Sequence, residues 1–106
     1  MSDFPSDLGV LTKFYLPEPP ETIVSLGNSG GFSGARFWRI QTLRQTLCLR
    51  RWPKEHPSPQ QLQQTHRVIQ HAANRGLDWL PVPFVTRQGQ SFASFQGHLW
   101  ELTNWL

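Results

Sequence analysis

A chain with one cysteine closes no internal disulfide, and Cys48 is the only cysteine here, which fits a reducing compartment. Its neighbours Leu47 and Leu49 predict a buried structural thiol. No apolar run approaches the roughly 18 residues that a membrane-spanning helix needs. The opening Met-Ser-Asp-Phe-Pro lacks the basic flank and apolar stretch of a secretory leader. The expectation is a cytoplasmic chain with no membrane partner. Charge is also sparse, at 16%, which argues against a disordered charged tail. Acidic residues are missing altogether between Arg36 and Lys54, where six of the ten basic residues fall. The net charge of +3 is therefore concentrated, a mild preference for anionic partners.

What is present suits one small domain. The 106 residues are 38% hydrophobic, and five Trp add large pieces of core-forming surface. Trp38, Trp79 and Trp100 are expected in the core. Leu8, Leu11 and Phe14 or Tyr15 recur at helical spacing within 7–16, and Pro17, Pro19 and Pro20 end that short helix in a stiff connector. Thr22–Leu26, Phe37–Thr42 and Leu47–Trp52 read as strands, with a turn at Leu43–Thr46. Ser58, Pro59 and Gln61 have the pattern of a capped helix start, and Gly76 is placed to end that helix after Arg75. Its semi-apolar face comprises Leu62, Thr65, Ile69 and Ala72, with Val68 beside it. Pro81 and Pro83 impose an extended passage, and strands over Gln90–Phe95 and His98–Trp105 meet at Gln96-Gly97 as a hairpin. The order predicts an α+β fold, a five-stranded antiparallel sheet with one long helix packed on it. Residues 1–21 form an amino-terminal helix and Pro-rich connector, and 22–106 the domain proper.

Chemistry concentrates in Gly27-Asn28-Ser29-Gly30-Gly31-Phe32-Ser33-Gly34. Without a Cβ, glycine lets backbone amides approach a polyphosphate, and a serine hydroxyl adds an adjustable donor. No Gly-Lys-Ser/Thr ending makes this a Walker A loop, and a strand rather than a helix follows it, unlike a Rossmann turn. Strand, glycine loop, strand is the arrangement of a kinase lid over phosphates, although an ordinary Gly-rich hairpin has the same pattern. Alternation puts Cys48 and Arg50 on one face of the third strand and Leu49 and Arg51 on the other. A small residue two before a cation suits a roof over a flat base. Arg51 reads as a solvated sheet edge.

Gly30 to Ile40, followed by Leu47-Cys48-Leu49-Arg50, resembles the start of the aminoglycoside phosphotransferase and choline kinase-like family. Gly76–Pro83 is similar to that family's passage into the fourth strand, and Leu99–Leu106 to its fifth strand and hinge. The resemblance covers 22–106 and implies a protein kinase-like amino-terminal lobe that binds ATP, or another nucleoside triphosphate, with Mg²⁺. It implies that the amides of Gly31 to Gly34 and the Ser33 hydroxyl approach the phosphates, with Phe32 shielding them at the loop tip. Arg50 stands for the usual lysine of the third strand. Thr103 falls at the gatekeeper position, and the Asn104 carbonyl and Leu106 amide would meet the adenine edge, with Trp105 in the hinge.

The family's long helix carries a glutamate that pairs with the third-strand cation. The matching place is near Thr65, between Gln64 and His66, and none of the three is a carboxylate. The family's catalytic aspartate, its partner asparagine and its metal-binding aspartate belong to a second lobe. This chain is therefore expected to contain no catalytic residue and no metal ligand, with the metal held by the missing carboxy-terminal lobe. A lobe truncated at the hinge would be inactive alone and would leave Leu102 and Trp105 exposed. The spacing of His56, His66, His71 and His98 forms no metal set. Trp and Arg together could stack single-stranded nucleic acid, but no RNA-binding signature accompanies them. The alternative function is a freestanding partner-binding or nucleic-acid-binding module.

Overall fold

The computed structural model describes residues 9–27, 35–54, 57–77 and 79–105. Five strands form one antiparallel sheet: β1 (Thr22–Gly27), β2 (Arg36–Gln41), β3 (Thr46–Arg51), β4 (Ala93–Phe95) and β5 (His98–Asn104). Their spatial order is β1-β2-β3-β5-β4, so β5 inserts between β3 and β4. The long helix α1 (Pro59–Asn74) connects β3 to the β4–β5 hairpin. The expected α+β architecture is the one observed.

Local chemistry sets the ends of these elements. The Ser58 side chain accepts from the Gln61 amide at 3.1 Å, and the Gln61 side chain accepts from the Ser58 amide at 2.8 Å. This reciprocal box satisfies two helix-end donors, with Pro59 at the first position where no amide is needed. At the other end Gly76 adopts φ +107°, and the amides of Gly76 and Leu77 return to the carbonyls of Ala73 and Ala72. That closure needs a left-handed residue, which glycine supplies without strain. Gln96 and Gly97 both have positive φ, at 53° and 78°, as a tight hairpin turn between β4 and β5 requires.

Strand β4 is shorter than the expected 90–95. The Thr86 amide donates to the Gln90 carbonyl and the Gln90 amide to the Thr86 hydroxyl around a turn, and Ser91 leaves the ladder to meet His66 on α1. The amino-terminal helical expectation narrows to one π-helical turn at Leu11–Tyr15, the part before residue 9 lying outside the described residues.

The two faces of the sheet differ because β2, β3 and β5 alternate in register. Trp38, Ile40, Leu47, Leu49, Trp100 and Leu102 point one way and are buried in one cluster with Val10 and Leu11. The Trp38 and Trp100 rings stack with centroids 5.6 Å apart. Leu102 is fully buried here, contrary to the exposure expected of it, because it shares this face with Trp100. Arg87 ties the amino-terminal turn down, donating to the carbonyls of Thr12 (2.7 Å), Lys13 (3.0 Å) and Leu16 (2.6 Å).

Three further expectations are corrected. Trp79 is 64% exposed, lying after α1 in the extended passage instead of in the core. Arg51 is only half-exposed, its guanidinium 5.8 Å from the Trp38 and Trp100 ring centres. On α1, His66 is buried with Leu62, whereas Thr65 and Val68 are exposed. The helix thus presents positions four apart, and the inward position next to Thr65 is occupied by a histidine.

Candidate functional site

The second sheet face carries the polar chemistry. Arg50 pairs with Phe37 on one side and Glu101 on the other, and Cys48 pairs with Thr103, so all five share that face. A bulge between Ser25 and Gly27 shifts the β1–β2 register at Leu26, just before the glycine loop. Leu26, Phe37, Cys48, Arg50, Pro81, Thr103, Asn104 and Trp105 line a cleft of about 320 Å³. Arg50 and the last residues of β5, Thr103 and Asn104, are therefore walls of one space.

Arg50 is held from several directions. Its guanidinium carbon lies 4.8 Å from the Phe37 ring centre and 4.9 Å from that of Trp52, within reach of cation–π attraction. Nη1 stands 3.6 Å from Glu101 Oε2, an ion-pair separation too long for a hydrogen bond. Among the described residues, the buried Arg50 Nε has no hydrogen-bond partner.

Glu101 is the centre of this network. Its Oε1 accepts from Trp52 Nε1 at 3.0 Å and meets His66 Nε2 at 3.0 Å, while His66 Nδ1 lies 2.7 Å from Ser91 Oγ. Burial opposes ionisation of Glu101. The hydrogen bond from His66, the charge of Arg50 and the Trp52 N–H outweigh it and hold the carboxyl below its ordinary range. Reasoning from sequence sought a carboxylate for Arg50 on the helix and missed this one on β5. The signal that could have found it is the β3–β5 pairing, which puts Glu101 directly across from Arg50.

Cys48 is half-buried and lines the cleft, where the leucines beside it suggested a core thiol. Alternation sends Leu47 and Leu49 into the core and turns Cys48 outward. Burial pushes the thiol pKa up, Arg50 pulls it down and Glu101 adds to the rise, with a net upward shift. A thiol in that state is a poor nucleophile. Thr103 is buried, and its hydroxyl donates to the Asn104 carbonyl at 3.3 Å. The Trp105 amide donates to the Thr46 carbonyl at 3.0 Å, which anchors the end of β5 to β3. Trp105 is 40% exposed. Gly31, Phe32, Ser33, Gly34 and Leu106, expected to complete the site, lie outside the described residues. Among the described residues no three His, Cys, Asp or Glu side chains gather as a metal set, and no helix is long and apolar enough to cross a membrane.

No curated protein matches the chain. Residues 26–106, from the end of β1 onwards, match the phosphotransferase enzyme family. The match takes in every residue that lines the cleft. This chain belongs to the phosphotransferase enzyme family.

Proposed function

We propose that the chain is the ATP-binding lobe of a kinase-like, small-molecule phosphotransferase, with 22–106 as the nucleotide-binding unit. The observation that carries this reading is the shared cleft. A cation on β3 and a strand-to-hinge edge at Thr103–Asn104 line one space in a chain of this family. The base lies beneath Leu26 and Cys48, beside Thr103, with its polar edge towards the Asn104 carbonyl and the Leu106 amide. Arg50 faces the phosphates, where a planar guanidinium can fork onto two oxygens. In the same reading the amides of Gly31 to Gly34 and the Ser33 hydroxyl are assigned to the phosphates, and Phe32 to covering them.

The chain's residues fit a nucleotide better than the metal that accompanies it. Phosphoryl transfer needs a carboxylate base and carboxylates to hold Mg²⁺, which would neutralise the charge of the phosphates. Glu101 is turned to His66, Trp52 and Arg50 instead. In this reading a second lobe supplies the catalytic base and the metal ligands. One lobe supplies only part of the contact with the base, and each 1.4 kcal/mol forgone weakens binding about tenfold. Calorimetric titration with ATP and Mg²⁺ should give an affinity no tighter than about millimolar. A radiolabelled transfer assay on amino-sugars and choline should show no product. Micromolar binding would overturn the one-lobe reading, and acceptor-dependent transfer by the 106-residue chain would require catalytic groups within it.

A further inference from the structure

We infer that Glu101 on β5 and His66 on α1 are the positioning residues of Arg50, doing from strand and helix jointly what a helix carboxylate would do alone. The inference rests on the nucleotide reading of the cleft but adds to it which side chains aim the cation. No acid stands at Gln64, Thr65 or His66, the part of α1 that the family resemblance puts opposite Arg50. The inward position holds a buried histidine, and its Nε2 reaches Glu101 Oε1 at 3.0 Å. The other oxygen of that carboxylate is the one beside Arg50, at 3.6 Å. The helix therefore touches the cation through an intermediary.

Three physical features favour positioning over simple charge neutralisation. Both Glu101 oxygens are assigned, because Trp52 and His66 hold Oε1 while Oε2 is left towards Arg50. His66 is in turn braced by Ser91 at 2.7 Å, which sets its ring from the segment leading into β4. A carboxylate held by two hydrogen bonds cannot swing to follow a mobile guanidinium, so the guanidinium must conform to it. Trp52 acts twice, donating to Glu101 and lying 4.9 Å from the Arg50 guanidinium carbon. Elements β3, β5 and α1 thus converge on a single side chain that lines the cleft.

The test uses the full 106-residue chain and two readouts. The first is the Arg50 guanidinium resonance by NMR, which reports its restriction without any nucleotide. The second is the ratio of ATP to adenosine affinity by NMR titration, which isolates the phosphate contact. Glu101→Gln keeps the acceptor for Trp52 and His66 but removes the charge facing Arg50. It should release the guanidinium and lower the ATP preference about five- to tenfold, the scale of one ordinary net hydrogen bond. In an Arg50→Ala background the same substitution should change the ratio by less than about twofold. His66→Gln, which can still donate, should retain most of the wild-type behaviour, whereas His66→Leu should loosen Arg50. The His66 pair tests the inference even if Glu101→Gln fails to fold.

An unchanged Arg50 resonance in Glu101→Gln, or identical behaviour of His66→Gln and His66→Leu, would overturn the positioning role. Tighter ATP binding by Glu101→Gln would also overturn it, because Glu101 would then be competing with phosphate. A wild-type chain with no preference for ATP over adenosine would sink the nucleotide reading instead, and the resonance would still decide whether Glu101 and His66 order Arg50.

Discussion

Arg50 and Glu101 stand opposite each other in the β3–β5 ladder, with 3.6 Å between Nη1 and Oε2. The folded protein holds the Glu101 carboxyl below its ordinary value of 4.5, burial being outweighed by His66, Arg50 and Trp52. An acid whose pKa is lowered on folding adds stability that is complete above the unfolded value and fades as pH falls through the folded one. The thermal midpoint should therefore drop on acidification below about pH 4.5. Glu101→Gln should have a shallower acid limb. Parallel limbs for the two proteins would assign the acid sensitivity to other carboxylates.

Trp100 is fully buried, stacked on Trp38, and its Nε1 donates to the Phe95 carbonyl at 3.0 Å. Trp100→Ala should cost about 3–5 kcal/mol, enough to unfold a small domain of ordinary stability. Trp38→Phe, which keeps most of the stacked area, should cost far less. Urea unfolding followed by circular dichroism measures both, and a loss under about 1 kcal/mol for Trp100→Ala would mean that the core repacks.

Ser58 caps α1 through a reciprocal pair of hydrogen bonds with Gln61. Ser58→Ala should lower stability by about 1 kcal/mol, and Ser58→Asp should recover most of it, since aspartate caps equally well. The loss should appear as faster amide exchange in the first turn of α1. Exchange rising equally across the sheet would show that the helix end and the sheet open together.

Arg87 joins the turn after the extended passage to the carbonyls of Thr12, Lys13 and Leu16. Arg87→Ala should raise amide exchange in 11–16 more than in β3. Arg87→Lys should rescue poorly, because one ammonium cannot reproduce a planar fork. Equal exchange in wild type and Arg87→Ala would show that the buried Val10 and Leu11 hold this segment without the arginine.

Much of the framework was legible because its signals are local. The Ser58-Pro59-Gln61 pattern, the glycine at 76 and the Gln96-Gly97 turn each act within a few residues, so their chemistry can be read in chain order. Alternation along β3 likewise assigns Cys48 and Arg50 to one face without reference to a partner strand. The same rule, applied to Cys48, should have excluded a core thiol. The leucines flanking it point the other way, into the core.

By itself the sequence determined the elements, their order, and the face on which Arg50 would stand, because periodicity and end-capping depend on neighbours a few positions apart. Tertiary structure decided what Arg50 would meet there. His66 and Glu101 are separated by 35 positions, and Trp52 and Glu101 by 49, so no local pattern links them. Their meeting depends on β5 entering the sheet beside β3 and on the rotation of α1 that turns His66 inward instead of Thr65. Burial then makes the pairing obligatory, since a carboxylate removed from water must find donors where the fold brings them.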